Sequence, residues 1–542
     1  MKKNLSLRTR LALVISVGAL TLAPAINLRA ATFELSSATV ADINAAIDAG
    51  ALTSEKLVQL HLARIAAYDK AGPKLNAVIT LNPKALEQAR ALDAERKAKG
   101  RRSPLHGVPI VLKDNFDTFD LPTSAGSFLL KDSIPPDDAF VVKKLRDAGA
   151  IILAKVNLSE FASGGAGGAR SSLGGQSLNP HDLERTPAGS SGGTGVAIAA
   201  DYATIGLGTD TGGSIRGPST TNGVAGLKPT HGLLSRDGIV PLSLTFDTGG
   251  PMARSVYDLA VSLGVMTGVD SADGATRKSD GKFQTDYTKY LKADSLKGAR
   301  IGIARDFMGA DPEVDWVIEC SLAAMRKAGA TIVDVRYPKW LLDVKTEFYN
   351  AVRLPEFRAQ INDYLATLKP GFPKTHDDLM RLVEALTSPN AAGATPNPGR
   401  WNLFKEEAKS GTLTDYRYLA VRDQGLPLVR ATLEGLMAAE KLDAIVYPTS
   451  PRRPAKIAED PAPSRAAAPV SSATNYANLT GFPDLIVPAG FTSNGLPVGI
   501  SFFGPAFSEP RLFALGYAFE QATRARRDPV HAPALPGETF TY

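Results

Sequence analysis

Two short apolar runs on either side of a helix-like segment constrain the fold of this chain more than any other feature of its sequence. GVPIVLKD at 107–114 and AIILAK at 150–155 have the length of buried strands, and DDAFVVKKLRDAG at 137–149 between them has helical character. Strands that are joined through a helix pair in parallel, because the chain has to return to the starting edge of the sheet. We therefore expect an α/β fold: a single large mixed, mostly parallel sheet that helices cover on both faces.

The remaining segments are expected to complete this fold as one domain over residues 31–542. Segments between Val40 and Gly100 show helical periodicity and predict an N-terminal helical layer. The strand-like runs AIVYP, DLIVPAG and PVGISFFG lie near the end of the chain. A mixed helical stretch from about 312 to 440 precedes them and is expected to cover the functional site. The single cysteine, Cys320, lies in a helix-like stretch and is expected to be a buried core thiol.

The first thirty residues have the composition of a secretory signal. Lys2, Lys3, Arg8 and Arg10 precede the apolar run LALVISVGALTLAPAI, and small residues follow it up to Ala30. The run has 16 residues, fewer than the roughly 20 that span a bilayer. We expect cleavage near Ala30 rather than a retained membrane anchor. The mature protein, residues 31–542, is then expected to be periplasmic or secreted, with no membrane anchoring.

Charge and composition exclude several functional classes. The chain has a formal net charge of +6, and the signal segment holds five positive charges and no negative ones, which leaves +1 for the rest. No basic field remains that would indicate a nucleic-acid partner. The glycine-rich stretch at 163–195 lacks a phosphate-loop pattern, and Gly193-Thr-Gly195 is followed by Ile198 where a dinucleotide fingerprint needs Gly or Ala. No His/Cys/Asp cluster has metal-ligand spacing, so we expect neither a metal nor an organic cofactor.

Two serines match nucleophile patterns in contexts that do not fit them. Ser191 is the centre of GSSGG at 189–193, which resembles the nucleophile elbow of α/β-hydrolases. That elbow has to follow a buried strand, whereas the charged segment DLERTPA precedes this one. Ser279 begins a Ser-x-x-Lys match in a polar loop, without the companion motifs of β-lactamases. We expect neither serine to be the nucleophile.

Ser214 is the third candidate nucleophile, in TDTGGSIRGPS at 209–219. Its two preceding glycines allow a sharp turn, in which consecutive N–H groups from about Thr211 to Ser214 can point at one spot. An oxyanion needs such a group of donors. A structural turn with a capping serine is the alternative for this motif taken alone.

Lys113 is the candidate base for Ser214. The chain has six histidines, and none lies within fifteen residues of Ser214. Lys113 ends an apolar run, so its amine would lie at the carboxyl end of a strand, where α/β sites usually open. A lysine there either binds a charged group or acts as a base, and burial can lower its pKa from about 10.4 to near 7. Ser190 and Ser191 offer a hydroxyl to carry the proton, as a Ser–Lys variant of the triad requires.

With these motifs the sequence resembles the amidase signature family. The resemblance runs from about Val40 to the C-terminus and is densest at about 105–255, in LHGVPIVLKDN, AGSSGGTGVAIAA, GLGTDTGGSIRGPS and NGVAGLKPTHGLLSRDG. NLTGFPDLIVPAGF and GLPVGISFFG resemble the C-terminal strands of the family. The sequence departs from the family at Ala188, where many relatives have glycine. This change lies away from the catalytic hydroxyls.

The resemblance implies a role for individual residues of this sequence. Three side chains would perform the catalysis: Ser214 as the acyl-forming nucleophile, Ser190 as the bridging serine after a cis peptide bond, and Lys113 as the base. Backbone amides would line the oxyanion hole: those of Thr211, Gly212 and Gly213, together with that of Ser214. Asp210 and Arg216 also match the motif and are expected to be scaffold charges.

The resemblance also implies a reaction. An exported amidohydrolase of this family cleaves a carboxamide through an acyl-enzyme, releases ammonia or an amine, and lets water free the acid. Because the family includes peptide amidases, the candidate substrates are C-terminal peptide amides, followed by small aryl or aliphatic amides. Two alternatives are the glutaminase subunit of a tRNA-dependent amidotransferase and a catalytically silent envelope-binding protein with this fold. Export argues against the first, and the intact Lys113, Ser190 and Ser214 argue against the second.

Overall fold

The computed structural model describes residues 31–163, 168–386, 395–457, 470 and 472–542. Its largest element is a sheet of 11 strands, and two short sheets have two strands each. The predicted signal segment, residues 1–30, lies outside the described residues. Within those ranges, no helix is both long enough and apolar enough to cross a membrane.

The strands, in chain order, are β1 (Thr32–Glu34), β2 (Val78–Leu81), β3 (Pro109–Lys113), β4 (Ile151–Val156), β5 (Arg170–Ser171), β6 (Gly175–Gln176), β7 (Ile205–Asp210), β8 (Ala225–Lys228), β9 (Thr248–Ala253), β10 (Arg300–Ala304), β11 (Thr331–Val335), β12 (Ala444–Pro448), β13 (Asp484–Phe491), β14 (Pro497–Phe503) and β15 (Thr539–Thr541). The helices are α1 (Val40–Asp48), α2 (Ser54–Tyr68), α3 (Ala85–Lys99), α4 (Phe140–Asp147), α5 (Gly192–Ala199), α6 (Arg216–Thr221), α7 (Val256–Met266), α8 (Pro312–Lys327), α9 (Lys339–Thr367), α10 (His376–Leu386), α11 (Pro398–Lys409), α12 (Tyr416–Ala420), α13 (Leu426–Ala439), α14 (Asn475–Thr480) and α15 (Glu509–Thr523).

The large sheet has the order β11-β10-β12-β14-β13-β8-β9-β7-β3-β4-β2. The predicted α/β class and mixed sheet are confirmed, and β3 and β4 pair in parallel through α4 as expected. The expectation of a mostly parallel sheet is wrong, because four of the neighbouring pairs among the described strands are parallel and six are antiparallel. Short connections, such as residues 492–496 between β13 and β14, allow only antiparallel pairing.

Helices cover both faces of the sheet, and this arrangement decides which way the side chains of β3 point. Ile110 and Leu112 pack into a core that includes residues of α1, α4, α7 and α15. Val111 packs into a second core with residues of α2, α3 and α5. Because side chains alternate along a strand, Lys113 lies on the same face as Val111. That face is the one covered by α5.

The N-terminal helical layer is present as predicted, in α1, α2 and α3. Thr39 caps α1 through a capping box with Asp42, which satisfies backbone donors at the start of the helix. The short strand β1 precedes this layer and pairs antiparallel with β15. Arg64 of α2 forms a buried ion pair of 2.7 Å with Glu538. The first and last described segments are therefore joined to each other.

The predicted helical cover begins later than residue 312. Helix α8 buries Val314, Ile318 and Leu322 in the main core, and β11 is an edge strand of the large sheet. The helices α9–α13, which we call the cover, pack instead into two separate cores. Cys320 is exposed, so the prediction of a buried thiol is wrong. The apolar residues of α8 recur every three or four positions, and Cys320 lies on the opposite side of the helix.

Candidate active site

Lys113 and Ser190 meet at the carboxyl end of β3. The Nζ atom of Lys113 lies 2.7 Å from Oγ of Ser190 and 2.7 Å from Oγ1 of Thr209 in the adjacent strand β7. The Lys113 side chain has no exposed surface. The structure therefore brings together the lysine and the serine that the sequence predicted to be relay partners.

Burial sets the protonation of Lys113. Loss of contact with water lowers the pKa of Lys113 from its ordinary value to about 7, against the opposing effect of the carboxylates of Asp210 and Asp247. A large fraction of this amine is therefore neutral near pH 7 and able to accept a proton. Asn115 also donates to Oγ1 of Thr209, at 3.1 Å, so the hydroxyl group that faces the lysine is itself held in place.

The segment before Ser190 has an unusual backbone. The peptide bond between Gly189 and Ser190 is cis, the conformation that the resemblance implies. A Cβ atom at Gly189 would lie 2.3 Å from Oγ of Ser159, so no larger residue fits there without displacement. Ala188 has a φ of 58°, in the left-handed region that favours glycine. Ala188 is therefore a strained alanine at the position where the resemblance implies glycine.

Ser214 lies in the turn that connects β7 to α6. Its side chain is partly exposed, and no hydrogen bond of its hydroxyl group occurs among the described residues. The carbonyl of Ser214 accepts a bond of 3.1 Å from the amide of Ser191. This bond fixes the Ser214 loop against the segment that carries Ser190.

The predicted oxyanion amides are not equivalent in the structure. The amide of Gly213, which has a φ of 121°, donates to Oδ1 of Asp210 at 2.9 Å. The amides of Thr211, Gly212 and Ser214 donate to no group in the described part of the chain. The amide of Gly213 thus anchors the turn, and the other three amides are open in the sense that they have no hydrogen-bond partner among the described residues.

Asp210 and Arg216 form a fully buried scaffold behind this turn. Arg216 donates from Nη2 to Asp210 Oδ1 at 2.9 Å and from Nη1 to Asp484 Oδ2 at 3.0 Å. Asn478 donates to Asp210 as well, at 2.9 Å. Burial alone would raise the pKa of Asp210, but Arg216 and these bonds hold it well below its usual range. The contacts are those of the scaffold charges expected from the sequence.

Asp247 is a second buried carboxylate, and it connects the turn before Ser214 to the segment that contacts helix α9. The hydroxyl of Thr211 donates to Asp247, which also accepts from the amide of Ser243 at 2.9 Å. Glu356 of α9 accepts in turn from the Ser243 hydroxyl at 2.6 Å and from the amide of Thr245 at 3.1 Å.

Three residues of this site were not predicted from the sequence: Thr209, Asp247 and Glu356. Asp247 and Glu356 lie in segments without a recognisable catalytic pattern, and Thr209 begins the TDTGGSIRGPS motif, in which only the glycines and the serine indicated a function. Only the fold brings them to the site.

The other candidate groups are engaged elsewhere. The hydroxyl of Ser191 is buried and bonds to both the amide and the carbonyl of Thr209, at 3.3 and 3.2 Å. His231 bonds to the carbonyl of Leu244, and burial lowers the pKa of His231 to about 3. No hydrogen bond in the described ranges joins a histidine to Ser190 or Ser214. No group of three or more metal-ligating side chains with the geometry of a metal site is found in the same ranges.

Known proteins resemble this chain in both sequence and fold. The family model described as Amidase matches residues 56–513. The chain is 35% identical over 529 residues to an Arabidopsis thaliana protein that bears the name "Probable amidase", covering 96% of this chain and 95% of that protein. It is 34% identical over 508 residues to a glutamyl-tRNA(Gln) amidotransferase subunit from Caldanaerobacter subterraneus, covering 93% of this chain and all of that protein.

A solved structure with a similar fold is the native peptide amidase from Stenotrophomonas maltophilia. It aligns with a TM-score of 0.83 and 40% identity, over 92% of this chain and 99% of that one. The similarity therefore extends over nearly the whole of both chains.

Proposed function

From the premise that the chain belongs to the amidase family and hydrolyses amide C–N bonds, we propose that Ser214 is its nucleophile and that Ser190 and Lys113 form its proton relay. One observation carries this proposal. The amine of Lys113 is fully buried and lies 2.7 Å from Oγ of Ser190, and the amide of the following residue, Ser191, bonds to the carbonyl of the partly exposed Ser214.

Each group has one task in the proposed reaction. Ser190 passes the proton of Ser214 to the neutral amine of Lys113 while Oγ of Ser214 attacks the carboxamide carbon. The open amides of Thr211, Gly212 and Ser214 stabilise the negative charge that develops on the carbonyl oxygen. The relay then returns the proton to the leaving nitrogen, the C–N bond breaks, and an acyl ester on Ser214 remains. Water attacks this ester through the same relay and frees the acid.

We assign peptides with a C-terminal amide as the substrate class, followed by small aryl or aliphatic amides. The similarity to the Stenotrophomonas maltophilia peptide amidase supports this assignment. The similarity to the glutamyl-tRNA(Gln) amidotransferase protein favours one second candidate, in which the chain provides ammonia from glutamine.

A panel of amides tests the substrate class. We expect ammonia release from N-acylated amino-acid amides with the highest kcat/KM, lower values for simple aliphatic and aryl amides, and little release from glutamine. Coupled detection of ammonia for each purified substrate measures this order. Release from glutamine alone would contradict the assignment and favour the amidotransferase candidate.

We propose that the protein is exported from the cytoplasm. The order of basic, apolar and small residues before Ala31 supports this location. We expect protein from the native host to begin between about Ala25 and Thr32 and to lie outside the cytoplasm. N-terminal sequencing of the mature protein checks this. A soluble cytoplasmic product that retains Met1 would contradict export and strengthen the amidotransferase candidate.

A further inference from the structure

We infer that the hydroxyl of Tyr349, on the cover helix α9, binds the acylamino group of the substrate and thereby selects N-acylated amino-acid amides over simple amides. The acylamino group is the peptide bond that precedes the scissile carboxamide. This inference rests on the proposed function, and it assigns a substrate contact to a part of the chain for which the sequence indicated none.

The position of Tyr349 is the first argument. A Cβ atom added to Gly212 would lie 2.8 Å from the hydroxyl oxygen of Tyr349 and 3.0 Å from the ring carbon that bears it. Gly212 contributes one of the open amides and lies two residues before Ser214. The phenol group therefore stands directly against the turn that carries the nucleophile.

The availability of the hydroxyl is the second argument. Tyr349 is partly buried, yet its hydroxyl forms no hydrogen bond within the described ranges. Burial raises the pKa of Tyr349 above its ordinary value, which keeps the group protonated. A protonated phenol can both donate and accept a hydrogen bond.

The neighbouring polar groups are already engaged. Thr474 donates from Oγ1 to the carbonyl of Gly212 at 3.3 Å. The amine of Lys345, one helical turn before Tyr349, donates to the carbonyl of Ser472. Among the described residues, these two neighbours therefore have hydrogen-bond partners, whereas the hydroxyl of Tyr349 has none.

Tyr349 is also held rigidly, as a specificity contact requires. Its ring stacks on Phe246 with centroids 5.4 Å apart and an interplanar angle of 18°. Its helix is tied to the sheet side of the molecule by the bonds of Glu356 and by a bond of 2.8 Å from Tyr364 to Asp117. The hydroxyl therefore cannot move away from the turn without breaking these contacts.

The acylamino group is the ligand group that fits this position. The open amides already serve the oxygen of the reacting carbonyl, so the hydroxyl is left for the next polar group along the substrate. In a peptide amide that group is the preceding peptide bond, one Cα atom away, whose carbonyl accepts and whose N–H donates. Simple aliphatic and aryl amides have no polar group there.

Two substrates that differ only in this group test the inference with the Tyr349→Phe variant, which keeps the stacked ring. N-acetylphenylalaninamide carries the acylamino group, and 3-phenylpropanamide lacks it. We expect kcat/KM of the variant to fall about threefold to tenfold for the first, as for the loss of one hydrogen bond, and to stay within a factor of about two for the second. Tyr416→Phe is the matched control, because Tyr416 is 86% exposed, and it should alter neither value.

An equal loss on both substrates would overturn the inference, since the hydroxyl would then act on the reacting carbonyl or on the fold. No loss on either substrate would overturn it too. Neither result affects the assignment of Ser214, because the wild-type enzyme still hydrolyses the amides. If the wild-type enzyme hydrolyses neither substrate, the proposed substrate class fails, and the inference fails with it.

Discussion

The variant Ser214→Ala is expected to lose at least about 10⁴-fold in kcat on every amide that the wild-type enzyme cleaves, while it remains folded. The reason is chemical: without Oγ of Ser214 no acyl ester forms, and the buried hydroxyl of Ser190 cannot replace it. Ammonia release measures the loss. Thermal unfolding and circular dichroism of the variant show whether the fold is kept.

Ser191→Ala is the matched control for this variant. Ser191 lies in the rejected elbow motif, and its buried hydroxyl bonds to the backbone of Thr209. Its removal should reduce stability and leave most of the turnover. A Ser214→Ala enzyme that turns over at nearly the wild-type rate, beside an inactive Ser191→Ala enzyme, would mean that the nucleophile has been assigned to the wrong serine.

Lys113→Ala is expected to lose about 10³-fold or more in kcat/KM, within the range for a general base. The loss follows because Ser190 then has no group to which it can pass the proton. Lys113→Arg should not restore activity, because a guanidinium stays charged at any working pH. Steady-state kinetics of both variants on one peptide amide provide the measurement.

The pH dependence follows from the lowered pKa of Lys113. The amine has to be neutral, so kcat/KM of the wild-type enzyme should fall as the pH drops below about 7 and level off above it. Asp210 and Asp247 are the carboxylates that act on this amine. Burial raises the pKa of Asp247 to about 6, so a second, smaller step can occur there.

Lys228 provides a matched control for that profile. It is a buried lysine in β8 whose pKa burial also lowers to about 7, but its amine donates to the carbonyls of Pro229 and Phe482. Lys228→Met should leave the midpoint of the profile in place. A midpoint that moves with Lys228, or a histidine variant as inactive as Ser214→Ala beside an active Lys113→Ala, would show that Lys113 is not the base.

The sequence predicts the parts of this site that lie in continuous motifs. The end of β3 at Lys113 follows from one apolar run, and the turn before Ser214 follows from two glycines. Thr209, by contrast, meets Lys113 only because β3 and β7 pair in parallel, and no spacing along the chain shows that pairing. Glu356 reaches the site from a helix more than a hundred residues away from Ser214.

Two expectations were wrong: the mostly parallel sheet and the buried Cys320. A single strand–helix–strand unit does not represent the whole sheet, because strand direction depends on each connection separately. The exposure of Cys320 depends on which side of α8 meets the core. The neighbouring apolar residues indicate that side, because they define the buried stripe of the helix.

The pairing of β1 with β15 has a consequence for the order in which the molecule can assemble. The first strand of the described chain has no strand partner until residues 539–541 have been synthesised, and the ion pair of Arg64 with Glu538 forms no earlier. Contacts between such distant segments form slowly, because a long loop has to close first. The N-terminal layer therefore cannot reach its final state until residues 538–541 are available for pairing. Folding of the first segment is in this way made dependent on the last one.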